Sequence, residues 1–403
     1  MAALFYFLFF LTPLVLFPKS SELFEFNKMV TVYIFTTLIV AAWLIKMILE
    51  KRIIFRRTIL DLPLLAYLVT QLLSYSVSID QRTSLFGYYS RWNGGLLSLI
   101  AYSLLYWAYV SNMDSKKTLL AIRFLLISGL LASIYGVLQH FGIDKDIWVQ
   151  DVQNRVFSTL GQPNWLAAFL VALMPLAWSN AISKLKTQNS KLNLKSKNYL
   201  IWLFISSIFF LTLLYTKSRS GILGFSISYI VYWAGVFWLY KDKLKIVFSK
   251  FLLITFLLSL TALFVGTPWT PSLTRLILNP KYNIQNTTPT QGAALETGGT
   301  ESGEIRKIVW KGAIDIWKHY PIFGTGPETF AYAYYSFRPI EHNLVSEWDY
   351  LYNKAHNEYL NFAANAGTLG LLVYLILIAF SAYQISNAKF QMTNQIQNPN
   401  VKK

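Results

Sequence analysis

Apolar runs of bilayer length recur throughout this sequence and leave few folds open to it. A transmembrane helix needs roughly 17–25 predominantly apolar residues. Soluble domains typically carry about 25% charged residues, whereas this chain carries 14%. We therefore predict an all-α, polytopic membrane protein with about ten transmembrane helices. The predicted spans are 3–17, 29–48, 59–78, 95–111, 119–140, 164–182, 199–215, 221–240, 248–266 and 366–383.

The first span resembles a signal peptide only in its position. It has no basic residues before its apolar stretch and no clear small-residue cleavage site after it, so we expect it to be retained. The chain also contains no cysteine. This excludes disulfides, thiolate catalysis and cysteine-based metal sites.

The net charge of +17 would suit a nucleic-acid-binding protein, but its distribution indicates a membrane topology instead. Four loops hold 16 lysines and arginines, and the four loops between them hold 8. Positively charged loops are retained on the cytoplasmic side, so both termini are predicted to be cytoplasmic. The more basic loops are 46–57, 113–118, 183–197 and 241–250, and the others are 18–28, 79–94, 141–163 and 216–220.

The predicted domain organisation follows from the same alternation. Residues 1–266 form nine spans, 267–365 a large extracytoplasmic loop, 366–383 the last span and 384–403 a cytoplasmic tail. No internal repeat is evident in the sequence.

The large loop is predicted to be partly helical. Its Gly/Thr-rich stretch 286–303 is typical of a mobile segment. From Glu304 onward, apolar residues recur at helical spacing. A second helix is predicted to open with Pro327 and Glu328 in its first turn, where proline fits and the helix dipole favours an acid.

Several cationic and hydrogen-bonding residues fall at the predicted external membrane interface. A basic residue beside a span is commonly a snorkelling anchor to lipid headgroups, and that alternative stays open for each arginine. Cations between two spans on the outer side are unfavourable, so Lys217 and Arg219 indicate an anionic partner. The candidate substrate-binding residues are Arg91, Arg155, Gln162, Asn164, Lys217, Arg219, Glu328 and Asn357. We expect the three arginines and Lys217 to clamp a diphosphate, with Ser218 and Ser220 adding hydroxyl donors.

His356 lies where the large loop meets the last apolar segment. It could equally be a core or capping residue. Asn357, Asn361 and Asn365 follow at intervals of four, and polar groups at membrane depth face the protein interior or a wet cavity. A neutral imidazole there could accept a proton from an attacking hydroxyl, so His356 is the candidate catalytic residue.

The only metal-like pattern is Asp144-Lys145-Asp146, and no cluster of carboxylates or histidines accompanies it. Nucleotide-binding glycine-rich motifs and the H-E-x-x-H pattern are absent from the sequence. We predict no metal site and no cofactor.

Five segments together resemble the O-antigen ligase/polymerase superfamily of bacterial integral membrane proteins. The superfamily includes glycan ligases, repeat-unit polymerases and protein O-oligosaccharyltransferases. The segments are GYYSRWNGG (87–95), RVFSTLGQPNWLAAFLVALMPLA (155–177), TKSRSGILG (216–224), GEIRKIVWKGAIDIWKHYPIFGTGPETF (303–330) and NKAHNEYLNFAANAGTLGLL (353–372).

This resemblance implies a metal-independent, O-antigen ligase-like glycosyltransferase of surface polysaccharide biosynthesis in the cell envelope. It would transfer a glycan from a polyprenyl diphosphate, most often undecaprenyl diphosphate, to an acceptor hydroxyl at the outer face of the bacterial cytoplasmic (inner) membrane. The essential histidine of the superfamily falls on His356, its diphosphate-binding arginines on Arg155 and Arg219, and its G-[NQ]-P-N motif on Gln162. The implied partners are the lipid-linked glycan donor, a glycan, lipid or protein acceptor, and membrane lipids, but no nucleic acid.

Other functions remain open at this stage. The chain could be a repeat-unit polymerase or a protein O-oligosaccharyltransferase of the same superfamily. A transporter would concentrate its polar groups near the bilayer midplane, often at inverted repeats, and the sequence shows neither. A noncatalytic envelope scaffold would tolerate loss of His356, whereas a transferase would not.

Overall fold

The computed structural model describes residues 1–20, 22–182, 197–278 and 302–397. Over these residues the protein is all-helical and contains no strand. The α-helices, numbered α1 to α14, are Ala2–Leu11, Glu25–Leu49, Asp61–Ser76, Gln81–Phe86, Leu96–Asn112, Ser115–His140, Pro163–Ile182, Lys197–Tyr215, Arg219–Leu239, Leu244–Val265, Leu273–Leu278, Ser302–His319, Phe330–Phe337 and Glu358–Gln397.

Every predicted span coincides with one of these helices. Six helical segments are long and apolar enough to cross a membrane: Glu25–Leu49, Ser115–His140, Pro163–Ile182, Arg219–Leu239, Lys241–Val265 and Glu358–Ser386. The helices at the other four positions, α1, α3, α5 and α8, are shorter than a standard span or only just reach that length. The all-helical membrane class is therefore confirmed, whereas the count of ten spans and the sidedness of the large loop stay predictions.

Two helix boundaries differ from the sequence prediction for physical reasons. Helix α1 ends at Leu11 although apolar residues continue to Phe17, because Pro13 disfavours helical geometry in the residue before it. Helix α10 begins at Leu244, within the predicted loop 241–250. Lys250 therefore lies inside a helix and not in a solvated loop.

The chain divides into two compact units. Unit 1 comprises Met1, Glu25–Met113 and Gln291–Lys403, and unit 2 comprises Ala2–Phe24 and Asp114–Thr290. Both units contain parts of the predicted nine-span region and of the predicted large loop, so the predicted domain boundaries stay untested.

In unit 1, α3 packs on α14 and α5 packs on α2. The amphipathic helix α12 packs against α13 and α14. The apolar residues that the sequence placed on one face of α12 are buried there: Ile305, Val309, Ala313 and Ile316 form a core with Phe330, Tyr334 and Tyr352. The predicted helix from Glu304 is thereby confirmed.

In unit 2, a large apolar core joins α6, α7, α8, α9 and α10. Trp178, Phe209 and Leu213 lie at its centre and are almost completely buried. Helix α1 packs along α6.

The second loop helix starts later than the sequence predicts. Helix α13 begins at Phe330, and Pro327 and Glu328 precede it. Glu328 adopts a left-handed backbone conformation with φ 60°, and the Thr329 hydroxyl donates to the Gly326 carbonyl. This local turn excludes Glu328 from the first helical turn.

Helix α14 is interrupted at Gly367, where φ is 66° and ψ is −169°. The amides that follow the break find acceptors in another segment, since Thr368 and Leu369 donate to the carbonyls of Pro321 and Ile322. A Cβ on Gly367 would overlap the Ile322 carbonyl. Only glycine allows this close approach and this backbone angle together. The predicted mobile stretch 286–303 lies outside the described residues, except for its last two positions.

Candidate functional site

His356 immediately precedes the N-cap of α14 in unit 1 and is exposed. Its backbone is in the left-handed region, with φ 52°. A non-glycine residue with positive φ is uncommon and marks local strain that the surrounding structure must hold. The His356 ring meets the edge of Tyr352, with 5.4 Å between the ring centroids. The imidazole is thus presented at the surface in a fixed setting.

The electrostatic surroundings of His356 favour its neutral form. Desolvation by the surrounding protein lowers the pKa of His356 below its usual value of 6.5, although the residue keeps a large exposed surface. The positive charges of Arg306 and Arg91 lower this pKa further, and Glu347 opposes them. A neutral imidazole retains the lone pair that a general base requires.

A buried hydrogen-bonded group supports the loop that carries His356. The Tyr352 hydroxyl donates to the Glu347 carboxylate. His342 is completely buried, and its Nε2 donates to the Glu347 carbonyl at 3.2 Å. Its Nδ1 therefore accepts from the Tyr334 hydroxyl at 2.7 Å. Burial lowers the pKa of His342, in keeping with this neutral tautomer.

Glu328 is fixed beside this loop. Its carboxylate is 7% exposed and pairs with Lys354 at 2.7 Å. A Cβ on Gly94 would overlap the same carboxylate, so the glycine at this position allows Glu328 to pack against the loop before α5. The predicted substrate role of Glu328 stays a prediction, while the structure gives it a positioning contact with Lys354.

Asn357 caps helix α14. Its carbonyl accepts from the amide of Asn361 at 2.8 Å, and its side-chain oxygen accepts from the amide of Tyr359 at 3.1 Å. Further along the helix, Asn361 and Asn365 are buried. The Asn365 carbonyl accepts from Ser74 and Gly326. Asn361 and Asn365 of the predicted asparagine series therefore face the protein interior. The backbone carbonyl of Asn365 also links α14 to its neighbours.

Arg91 also belongs to unit 1, and its guanidinium lies 3.4 Å from the Glu25 carboxylate. Arg155, Lys217 and Arg219 belong to unit 2. The structure thus pairs Arg91 with an acid within unit 1.

In unit 2, Asn164 joins two loops. Its side-chain oxygen accepts from Nη2 of Arg155 at 3.1 Å and from the Ser218 hydroxyl at 2.8 Å. The Nε of Arg155 donates to the Thr216 carbonyl at 3.1 Å. Protein contacts alone therefore anchor the Arg155 guanidinium to the 216–218 turn.

Ser218 caps helix α9 by accepting from the amide of Gly221 and is completely buried. Its predicted role as a hydroxyl donor to a ligand is therefore replaced by a structural one. Lys217 has φ 49° and donates to the Asn154 side chain. Burial lowers the pKa of the Lys217 ammonium, and Asp151 opposes that shift. Arg219 opens α9 with an exposed side chain.

Gln162 immediately precedes α7, and its carbonyl accepts from the amides of Trp165 and Leu166 at 3.1 Å. Its side-chain Oε1 is buried, and none of the described residues forms a hydrogen bond with it. A buried acceptor is costly to leave unpaired, so this oxygen is suited to receive a donor from a bound molecule.

His140 and Lys217 line a cleft of ≈ 350 Å³ in unit 2, although no sequence pattern connects them. The His140 ring stacks on Tyr215 at 3.8 Å, and its Nδ1 donates to the Gln153 carbonyl at 2.7 Å. In the neutral imidazole, Nε2 remains an acceptor. Phe264 and Val265 form an apolar wall.

Asp144 has a structural environment. Its Oδ2 accepts from Tyr135, from Nε2 of Gln139 at 3.1 Å and from Nε1 of Trp148 at 2.6 Å. Gln139 in turn accepts from the amide of Ser158 at 2.7 Å, so this carboxylate organises the loop that carries Arg155. In the part of the chain that the structure describes, no group of three or more His, Cys, Asp or Glu side chains is arranged to hold a metal ion.

The family model described as O-antigen ligase matches residues 202–375 of this chain. This match supports membership of the O-antigen ligase/polymerase superfamily. It also supports a glycosyltransferase role of the kind found in that family. No curated protein matches the chain.

The family match contains Lys217, Arg219, Glu328, His356 and Asn357. Arg91, Arg155, Gln162 and Asn164 lie before it and rest on the motif resemblance alone.

Sequence reasoning missed several neighbours of His356. Lys354 stands two positions before it, and its charge within NKAHN was the available signal. No periodic spacing in the sequence connects His356 with Arg306 in α12 or with the loop residues Glu347 and Tyr352.

Proposed function

We propose that this protein transfers a glycan from a polyprenyl diphosphate carrier, of the undecaprenyl type, to an acceptor hydroxyl at the outer face of the bacterial cytoplasmic membrane. It would act as an O-antigen ligase-like enzyme of surface polysaccharide biosynthesis. The observation that carries the proposal is the exposed His356 imidazole, whose pKa is lowered by desolvation and by nearby arginines, within the segment that matches the O-antigen ligase family.

In the proposed reaction, His356 accepts the proton of the acceptor hydroxyl. The acceptor oxygen forms a bond to the anomeric carbon of the donor glycan, and the bond from that carbon to the diphosphate oxygen breaks. The lipid diphosphate leaves with the electron pair. Arg306 and Arg91 support this role because their charges disfavour protonation of His356 before substrate binds.

Arg155, Lys217 and Arg219 are proposed to bind the diphosphate of the donor. Guanidinium and ammonium groups placed in advance stabilise charge that develops on a leaving group. The anchoring of Arg155 by Asn164 and Thr216 supports this role, since a guanidinium held in place needs little reorganisation when charge appears.

The test is the lipid-linked glycan pool of the native host, measured by mass spectrometry for wild type and His356→Ala at matched protein levels. Loss of a general base typically lowers the rate about 10²–10⁴-fold, so unused donor is expected to accumulate. His319→Ala is the matched control, since His319 is an exposed histidine of unit 1 at the end of α12.

The nature of the accumulated species identifies the sub-activity. Long lipid-linked chains indicate a ligase, single repeat units a polymerase, and a short lipid-linked glycan with bare protein acceptor an oligosaccharyltransferase. An unchanged pool in His356→Ala would contradict the catalytic role and favour the transporter or the scaffold.

A further inference from the structure

Unit 2 buries a lysine that the proposed reaction does not use. Lys250 lies in the second turn of α10 and is 9% exposed. Its ammonium is 4.9 Å from the centroid of the Tyr199 ring in α8. Among the described residues, no carboxylate forms an ion pair with it.

The aromatic partner of Lys250 carries an unused hydrogen-bonding group. Tyr199 is buried, and among the residues that the structure describes its hydroxyl has no hydrogen-bond partner. Lys250 and Tyr199 come from two helices, α10 and α8, that pack against each other in the core of unit 2.

An ammonium in such a setting requires an acceptor. Removing a charge from water is unfavourable unless the charge is paired, and a cation–π contact offsets only part of that penalty. The tyrosine hydroxyl can donate as well as accept. An anion with several acceptor oxygens would pair with the ammonium and accept from the Tyr199 hydroxyl at the same time.

The position of Lys250 along α10 indicates where such an anion comes from. Lys250 stands six positions after Leu244, the first residue of the helix. This spacing corresponds to a rise of about 9 Å at 1.5 Å per residue. This end of α10 belongs to the more basic set of loops, which we predict to be cytoplasmic, and it carries Lys241, Lys243 and Lys245. Lysines near a membrane surface attract anionic lipid headgroups.

We propose that Lys250 and Tyr199 bind a phosphate group at the basic end of unit 2, with the Lys250 ammonium as the charged donor and the Tyr199 hydroxyl as a second donor. The phosphate is carried by an anionic membrane lipid or is free in solution. A snorkelling lysine would place its ammonium in water, whereas Lys250 is buried. This site is independent of the transfer reaction.

The test measures the unfolding temperature of the purified full-length protein in a neutral detergent. Phosphatidylglycerol, diacylglycerol with the same acyl chains, and inorganic phosphate are added separately. A higher unfolding temperature with phosphatidylglycerol alone supports the site and identifies a lipid as the source. A rise with inorganic phosphate supports the site and identifies free phosphate as sufficient. Equal effects of phosphatidylglycerol and diacylglycerol, without any effect of phosphate, overturn the proposal.

Variants test the residues directly. Lys250→Met keeps the apolar stem and removes the charge, so the phosphate-dependent rise is expected to vanish while the protein still folds. Lys145→Met, at an exposed position of unit 2 in a loop predicted to be external, is the matched control and is expected to retain the rise. Tyr199→Phe removes one hydroxyl and is expected to reduce the rise in part.

Native mass spectrometry provides a second readout that does not depend on a change in unfolding temperature. If lipid is the source, wild type retains phosphatidylglycerol adducts and Lys250→Met binds this lipid at least about tenfold more weakly, as expected for loss of a charged hydrogen-bond donor. Equal lipid retention by the two proteins, together with equal responses to inorganic phosphate, would overturn the assignment.

Discussion

At the scale of single residues, desolvation lowers the pKa of His356, and opposing charges adjust it further. Arg306 and Arg91 disfavour its protonation, and Glu347 favours it. Because the proposed base acts in its neutral form, activity is present above the pKa of His356 and is lost as pH falls through that pKa. The charges around the imidazole thus determine the acid limb of the pH profile.

We predict opposite shifts of this acid limb for two variants. Arg306→Gln removes a positive charge, raises the pKa of His356 and moves the limb to higher pH. Glu347→Gln removes a negative charge, lowers that pKa and moves the limb to lower pH. The measurement is the pH dependence of glycan transfer in membranes, with Lys307→Gln as an exposed control next to Arg306. Shifts in the same direction for both variants would contradict the assignment of His356 as the base.

The sequence allowed only part of this site to be predicted. His356 could be selected because asparagines at helical spacing follow it and mark the start of a helix. Tyr352, Glu347 and His342 could not be connected with it, because their contacts join loop residues that have no periodic pattern. Arg91 was grouped with Arg155 through their similar positions beside spans, but only coordinates could assign them to separate units.

At the scale of elements, the break in α14 depends on a neighbouring segment. Residues 320–329 lie between α12 and α13, and their carbonyls at Pro321 and Ile322 accept from the amides after Gly367. The amides of Thr325 and Gly326 donate in the opposite sense, to the carbonyls of Ala364 and Asn365. Residues 320–329 and the interrupted part of α14 therefore form hydrogen bonds between their backbone amides and carbonyls. In a continuous helix, these groups of α14 would pair within the helix itself.

Gly367→Ala is predicted to destabilise unit 1 and to lower activity. The substitution forces an alanine to φ 66° and overlaps the Ile322 carbonyl, and such backbone strain costs on the order of 1–3 kcal/mol. A lower unfolding temperature in detergent would report this cost. Gly235→Ala is the control, since a Cβ there meets no atom within 4 Å and alanine is favoured in a helix. Equal unfolding temperatures for the two variants would contradict the packing described here.

Helix positions could be predicted from the sequence more fully than helix interruptions. The apolar runs predicted a helix at each of the ten positions, because burial in lipid demands length and hydrophobicity together. The break at Gly367 could not be predicted in the same way, because glycine is common within transmembrane helices. The late start of α13 arose from the turn at Glu328, whose backbone angle cannot be read from composition.

At the scale of the whole molecule, the charge asymmetry of the loops predicts the orientation in the membrane. The absence of cysteine from the sequence makes this orientation directly testable, because any introduced thiol is the only one in the protein. The exposed residues Asp146 and Asp349 lie in segments predicted to be external. The exposed residue Lys116 lies in the first turn of α6, within the segment 113–118 that is predicted to be cytoplasmic.

We predict that Asp146→Cys and Asp349→Cys react with a membrane-impermeant maleimide in intact spheroplasts. Lys116→Cys is expected to react only after the membrane is permeabilised, because its loop is predicted to be cytoplasmic. Cysteine-free wild type is the background control. Labelling of Lys116→Cys from outside, or protection of Asp349→Cys, would reverse the predicted sidedness and remove the outer-face location of the proposed reaction.

The break at Gly367 also has a consequence for the order of biosynthesis. Pro321 and Ile322 leave the ribosome before Thr368 and Leu369, and at ~5–20 residues per second the interval lasts only seconds. The carbonyls that accept from the interrupted helix are therefore already present when α14 emerges. If α14 were synthesised first, its amides after Gly367 would enter the membrane without acceptors. In this protein the segment that contains Pro321 and Ile322 is synthesised before α14.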